Sequence, residues 1–237
     1  MTNAFTRAIV FLNPKNENPT CSHDAAALLR RLGIPNVQVV SLEAVHAALG
    51  RIPASEIHRA LYVQPGGGDD VDVSFANYFK SNRKLKPAVE AFVAKGGAYL
   101  GICLGTYSAA AEHFDLVRDA EGDSFFQFDE LDDDDAKILQ IEVDGKRYGT
   151  YHQGGPDLSP MLLVGGAPFG TYVGLDAPVG VVVPYKNGRG TIGLLSPHFE
   201  ANDDWDDAKN GRRADDCTEP AHKFLELLAT VNQERHA

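Results

Sequence analysis

The sequence predicts an α/β protein with a mainly parallel sheet in its first half and an antiparallel extension in its second. Two observations carry this reading. Up to residue 102, short apolar runs with little polar alternation, as suits strands buried on both faces, alternate with helical patterns. After residue 137, such runs instead flank tight-turn signals, Asp144-Gly145 and a loop holding Asn187-Gly188.

Taken in order, a strand at residues 9–12 leads to a helix at 24–32, where Ala and Leu recur at helical spacing until Gly33. A second strand at 37–40 precedes a helix at 42–49 that stops at Gly50, and a third at 60–63 precedes a helix at 84–95 that stops at Gly96-Gly97. Glycine just past a helix supplies the left-handed cap. The fourth strand, 98–102, closes the parallel half. Strands at 137–143 and 146–151 then form a hairpin, strands at 179–185 and 191–195 follow, and a helix at 221–231 ends the pattern. No repeat and no linker-like cluster of Pro, Gly and Ser divides the chain, so one domain over residues 1–237 is expected.

With 237 residues the chain is long enough to bury roughly three-quarters of its unfolded surface without disulfide staples. Its 22 Lys and Arg against 33 Asp and Glu give a net charge of −11, and the basic residues are scattered. That balance argues against nucleic acid as a partner, because phosphate binding draws on clustered Lys and Arg. The first twelve residues lack the basic start and long apolar stretch of a secretory signal, and no apolar run reaches bilayer length, so a cytoplasmic protein with no membrane partner is expected. The three cysteines, Cys21, Cys103 and Cys217, form no C-x-x-C pair, so neither a disulfide framework nor a metal site is expected, and no cofactor is called for.

The segment Ala98-Tyr99-Leu100-Gly101-Ile102-Cys103-Leu104-Gly105 carries the sharpest chemical signal. A buried strand enters, a small-residue helix leaves, and a cysteine sits on the turn with glycine two residues to either side. This is the pattern of a nucleophile elbow, in which the glycines admit a close strand–helix approach and the nucleophile takes a strained, outward conformation. A thiol at a helix N-terminus is also favoured as thiolate. Free cysteine is commonly just buried, but packing alone does not require glycine on both sides.

A base for this nucleophile is offered by Ser196-Pro197-His198-Phe199-Glu200, where His198 follows an apolar strand and Glu200 stands two residues on. A carboxylate beside an imidazole fixes its tautomer and stabilises the imidazolium. Upstream, Gln64-Pro65-Gly66-Gly67-Gly68 runs out of a strand without the Lys-Ser/Thr of a phosphate loop, and Asp69-Asp70 would repel phosphate. Backbone N–H groups of Gly67 or Gly68, with that of Leu104, are instead placed to hold an oxyanion beside Cys103.

In order and spacing, Pro65-Gly66-Gly67-Gly68, the elbow around Cys103 and Pro197-His198-Phe199-Glu200 resemble the class I glutamine amidotransferase-like superfamily. Within it, Gly96 to Cys103, Tyr107, Tyr151-His152-Gln153-Gly154-Gly155-Pro156 and Gly190 resemble the biotin-protein ligase N-terminal domain family. The resemblance implies a flavodoxin-like three-layer fold with the site at the carboxyl edge of the sheet. It also implies Cys103 as nucleophile, His198 as base, Glu200 as its orienter and Gly67 with Leu104 as oxyanion donors, acting through a thioester. Tyr107 departs from the glutamine that glutaminases of this superfamily usually carry four residues after the cysteine, which places hydrolysis of free glutamine in doubt. No lysine-containing adenylate loop follows, so the chain is not expected to be a biotin ligase by itself.

The expected activity is therefore that of a cysteine-dependent amidase or hydrolase on a small carboxamide or acyl substrate. The alternative is a non-catalytic small-molecule-binding or regulatory module. Tyr107, Tyr151, Gly154, Gly155 and Cys21 are the expected pocket walls, with a plain turn the alternative for the Tyr151–Pro156 segment and a passive thiol the alternative for Cys21, which is placed there because the loop after the first strand reaches the same edge; a reversible Cys21–Cys103 disulfide is a hypothesis of the same placement. Cys217, among carboxylates, is left without a role. The acidic runs at 129–135 and 203–207 lack the glycine and terminal glutamate of a calcium-binding hand loop and read as solvated loops. A second copy of the chain or a separate enzyme is the protein partner left open.

Overall fold

A computed structural model describes residues 4–13, 20–67, 71–118, 128, 131, 135–206 and 211–236. Its strands are β1 (Arg7–Phe11), β2 (Asn36–Val40), β3 (Ala60–Gln64), β4 (Ala98–Ile102), β5 (Lys137–Val143), β6 (Lys146–His152), β7 (Ala167–Tyr172), β8 (Pro178–Pro184) and β9 (Thr191–Leu195). They form one sheet in the order β2-β1-β3-β4-β9-β8-β7-β5-β6. The first five in that order are parallel, and from β8 outward every pairing is antiparallel. This is the flavodoxin-like, three-layer α/β arrangement with an antiparallel extension.

The layers follow from the period of two. Along β1, Ala8 and Val10 face a core shared with α1 (Thr20–Arg31) and α5 (Thr218–Glu234), while Ile9 and Phe11 face a second core shared with α2 (Leu42–Gly50) and α3 (Val71–Ala94). Both faces of β1, β3, β4 and β9 are buried, which is why their sequences show continuous apolar runs, whereas β2 at the edge of the sheet is half-exposed.

Three elements differ from the sequence reading, two of them for a clear physical reason. Helix α3 starts thirteen residues before the expected 84, because its first half turns Ser74, Tyr78, Ser81 and Asn82 inward; a polar buried face carries no hydrophobic period. Strand β7 has no counterpart in the sequence reading, since Pro168 and Gly170 make Ala167–Tyr172 look like a loop. It pairs with β8 and β5 nonetheless and buries Phe169 and Tyr172. Helix α1 also begins earlier, taking in Cys21 and Ser22.

Strands β1, β3, β4 and β9 all end at one edge, where the chain delivers Asn13, Pro65–Gly66–Gly67, Cys103 and Ser196–Pro197–His198. The far strand β6 returns to that edge: Tyr151 and His198 form an antiparallel bridge in which the His198 N–H donates to the Tyr151 carbonyl at 2.9 Å. Among the described residues no helix is long and apolar enough to cross a membrane.

Candidate active site

Cys103 sits at φ 51°, ψ −113°, a conformation that side chains other than glycine rarely adopt. Strain of this kind costs of order 1–3 kcal/mol and persists only where the surroundings enforce it. Here they do. The Cys103 N–H donates to the Leu195 carbonyl at 2.9 Å, Thr106 Oγ1 donates to the same oxygen at 2.8 Å, and the buried Tyr99 hydroxyl donates to the Gly105 carbonyl at 2.5 Å. A Cβ at Gly105 would lie 1.9 Å from the Gln64 carbonyl oxygen, and one at Gly101 2.6 Å from that of Gly105. Both flanking glycines are thus demanded by backbone approach.

The helix leaving the elbow is shorter than expected: α4 spans only Leu104–Tyr107, and tight turns follow it to Phe114. One turn brings little macrodipole, so the field of a long helix that the sequence reading placed at the sulfur is not available there. The thiol donates to the Gln153 carbonyl at 3.3 Å.

His198 is buried, and its Nδ1 lies 2.8 Å from Glu200 Oε1. That contact places the ring proton on Nδ1 and leaves Nε2 for exchange with a reactant. Burial by itself lowers the imidazole, but the negative charge of Glu200, the charge of Cys103 and hydrogen bonds to both outweigh it and push His198 up to about 10. Glu200 is enclosed completely, and its second oxygen, Oε2, has no hydrogen-bond partner among the described residues.

The glycine loop presses on this pair. A Cβ on Gly66 would lie 2.3 Å from His198 Cε1, and one on Gly67 would lie 2.7 Å from Leu104 Cδ2, so Gly67 and Leu104 are neighbours beside the elbow. Among the described residues neither the Gly67 nor the Leu104 N–H has a hydrogen-bond partner. Gly68 lies outside the described residues. The loop is anchored by residues that sequence reasoning passed over: Asn13 Nδ2 donates to the Gly66 carbonyl at 2.8 Å, and Tyr78 Oη, 2.7 Å from the same oxygen, also contacts Asn13 Oδ1. Tyr78 could not be found because it belongs to the polar inner face of α3.

The remaining expected wall residues converge on the same edge. Tyr107 donates its hydroxyl to the Gly154 carbonyl at 3.1 Å, and Tyr151 donates to Gln153 Oε1 at 2.9 Å. Gly154 has φ +61°, and a Cβ on Gly155 would lie 2.3 Å from the Ser196 carbonyl oxygen. Trp205, also missed, packs on the imidazole: its ring is 5.0 Å from His198 and 4.9 Å from Tyr151, while its Nε1 donates to Asp24 Oδ2 at 2.9 Å. Cys21 opens α1, and its thiol donates to the Gly67 carbonyl at 3.0 Å. Burial pushes that thiol well up, with the charges of Glu200 and Cys103 adding to it. All three cysteines are free, and the Cys21 and Cys103 thiols turn to different carbonyls.

Cys217 is buried at the start of α5, where burial pushes its thiol up to about 12. Of the acidic runs, Asp203, Asp204 and Asp206 are exposed, while most of 129–135 lies outside the described residues. Among the described residues no three His, Cys, Asp or Glu side chains are grouped to hold a metal ion.

Residues 13–121, from the anchor Asn13 past the elbow, match the family model for the N-terminal region of biotin-protein ligase. A chain of PurLQS from Thermotoga maritima overlays with a TM-score of 0.58 at 17% identity, covering 94% of this chain and 98% of that one. The family match spans a little under half of the chain, and the overlay shows that the chain shares the fold of the PurLQS structure. A glutamine amidotransferase from the same organism overlays at TM-score 0.48 and 15% identity, over 98% of this chain and 92% of that one. Gan42B, a GH42 β-galactosidase from G. stearothermophilus, overlays at 0.45 and 14% identity, over 94% of this chain and 30% of that one. Comparison with curated proteins finds no match.

Proposed function

We propose that this amidotransferase-like fold is a cysteine-dependent amidase or hydrolase of a small carboxamide or related acyl compound. The reading rests on one observation: a cysteine held at positive φ shares a buried edge with an imidazole that is fixed by a carboxylate at 2.8 Å. In the forward step the Cys103 thiol proton passes to His198 Nε2 as the sulfur attacks the acyl carbon and a C–S bond forms. The carbonyl oxygen becomes an oxyanion facing the N–H groups of Gly67 and Leu104. His198 then donates its Nε2 proton to the leaving amine as the C–N bond breaks, leaving a thioester. Water attacks that thioester, His198 takes its proton, the C–S bond breaks, and the acid departs with the thiol–imidazole pair restored.

The Glu200 carboxylate keeps the Nδ1 proton in place through both steps and needs no proton transfer of its own.

The test is mass spectrometry of the intact chain after exposure to activated esters and amides. A single acyl adduct on Cys103, absent in Cys103→Ser and long-lived in His198→Gln, is the expected result. Binding of the same compounds with no adduct on Cys103 would replace this reading with that of a binding module.

A further inference from the structure

The glycine loop after β3 sets packing against order. A Cβ on Gly66 would lie 2.3 Å from the His198 ring, and one on Gly67 would lie 2.7 Å from Leu104 and 2.9 Å from Ser74, so a side chain at either position would displace the base or the residue beside the elbow. Glycine, however, has the most backbone freedom to lose, and an oxyanion donor is effective only when it is already aimed. The loop therefore needs restraint from outside itself. Three buried side chains supply it. Asn13 Nδ2 donates to the Gly66 carbonyl at 2.8 Å, and Tyr78 shares its one hydroxyl proton between that carbonyl, at 2.7 Å, and Asn13 Oδ1. The Cys21 thiol donates to the next carbonyl, that of Gly67, at 3.0 Å, and burial keeps this thiol protonated. Asn13 is itself held, since its N–H donates to the buried Ser22 Oγ at 3.0 Å.

We infer that Asn13, Tyr78 and Cys21 are positioning residues that aim the Gly67 N–H at the acyl oxygen of a substrate on Cys103; the inference rests on the reading proposed above and assigns work to three side chains that Cys103, His198 and Glu200 leave unused. The Gly66 carbonyl and the Gly67 N–H belong to one trans peptide plane and point in opposite directions. Strand β3 lies between β1 and β4, with Asn13 just beyond the end of β1 and Cys103 just beyond the end of β4. A carbonyl drawn towards Asn13 thus turns its N–H partner towards the sulfur. The bond from Cys21 fixes the peptide on the other side of the Gly67 Cα, so neither flanking plane is left to rotate. Donors on the Gly66 carbonyl also polarise the amide and strengthen its N–H as a donor. All three side chains converge on the two carbonyls that flank the one loop residue whose N–H the acyl transfer uses, and among the described residues that N–H has no partner.

The test compares two reactions of Cys103, each read at that residue by peptide mass spectrometry with Cys103→Ser as the blank. Acylation by p-nitrophenyl acetate forms a C–S bond and an oxyanion before the C–O bond to p-nitrophenolate breaks, the thiol proton passing to His198. Alkylation by iodoacetamide forms a C–S bond as iodide leaves and makes no oxyanion, so it reports the thiol alone. Acylation is expected to fall about thirtyfold in Asn13→Ala and about fivefold in Tyr78→Phe and in Cys21→Ala, with alkylation in each staying within about twofold of the wild type. Tyr78→Phe keeps the ring and removes only the hydroxyl, and it decides the matter if Asn13→Ala loses the wild-type circular dichroism. Equal falls in both reactions, or acylation at the wild-type rate, would overturn the inference and leave the acyl-transfer reading in place. A wild type that is alkylated but never acylated would overturn that reading and this inference with it.

Discussion

Replacing Glu200 by Gln isolates the electrostatic core of the site. The amide oxygen can still accept from His198 Nδ1 at the 2.8 Å position of Glu200 Oε1, so geometry is kept and only charge is lost. In the native site burial lowers His198, and it stands at about 10 because Glu200 and Cys103 outweigh that burial. With the carboxylate neutralised, the ring is expected to fall to its ordinary value near 6.5 or below. The difference between 10 and 6.5 amounts to about 5 kcal/mol of preference for imidazolium. The assay is an NMR titration of histidine Cε1 between pH 5 and 10, with His198 assigned by His198→Gln. Alkylation of Cys103 by iodoacetamide over the same range reports the reactive partner. A wild-type His198 that titrates at or below pH 7, or a Glu200→Gln curve that superimposes on it, would refute the reasoning.

Two glycines make a matched pair for stability. Gly105→Ala places a Cβ 1.9 Å from the backbone oxygen of Gln64, which cannot yield without separating β3 from the elbow; a loss of about 3 kcal/mol or more in urea unfolding is expected. Gly50→Ala meets nothing within 4 Å at the end of α2 and is expected to be neutral or to stabilise by up to about 1 kcal/mol. At Trp205, phenylalanine keeps an aromatic ring on His198 but abandons Asp24, whereas alanine removes both contacts. Alkylation of Cys103 should slow a few-fold in Trp205→Phe and about tenfold or more in Trp205→Ala, with equal rates counting against a positioning role.

How far the sequence could be read depended on whether a residue's work leaves a periodic or local trace. Strands β1, β3, β4 and β9 were legible because burial on both faces makes apolar runs, and the elbow because Gly101 and Gly105 flank Cys103 at fixed spacing. His198 and Glu200 lie two residues apart, so their contact is nearly local. The supports of the site are not. Asn13 reaches Gly66 across 53 positions, Trp205 reaches Asp24 across 181, and Tyr78 is hidden in a helix whose inner face is polar. Each is an ordinary side chain whose role exists only once the sheet has brought strand ends together. Strand β7 was hidden for the opposite reason: Pro168 and Gly170 are local signals for a loop, and its pairing with β8 and β5 overrides them.

Two buried histidines at this edge set opposite limits on the pH range of folding. His152 is buried with its Nδ1 3.0 Å from the Tyr172 hydroxyl, and burial foremost, with the positive charges of His198 and Lys137 behind it, brings it down to about 3. Its native value lies below the unfolded 6.5, so between those values the unfolded chain binds more protons. Stability from His152 is full above 6.5 and is lost as pH falls toward 3, by about 5 kcal/mol. For His198 the native value of about 10 lies above 6.5, and its contribution is full below 6.5 and is lost as pH rises toward 10. Each loss is comparable to the whole stability of a typical domain, about 5–15 kcal/mol, so these terms can dominate the profile. Urea midpoints are expected to peak near pH 6.5 and fall on both sides. His152→Asn, which keeps a polar partner near Tyr172 without a titrating ring, should flatten the acid limb alone, and Glu200→Gln should flatten the alkaline limb alone. If either substitution lowers both limbs equally, the two histidines do not set the pH dependence of folding.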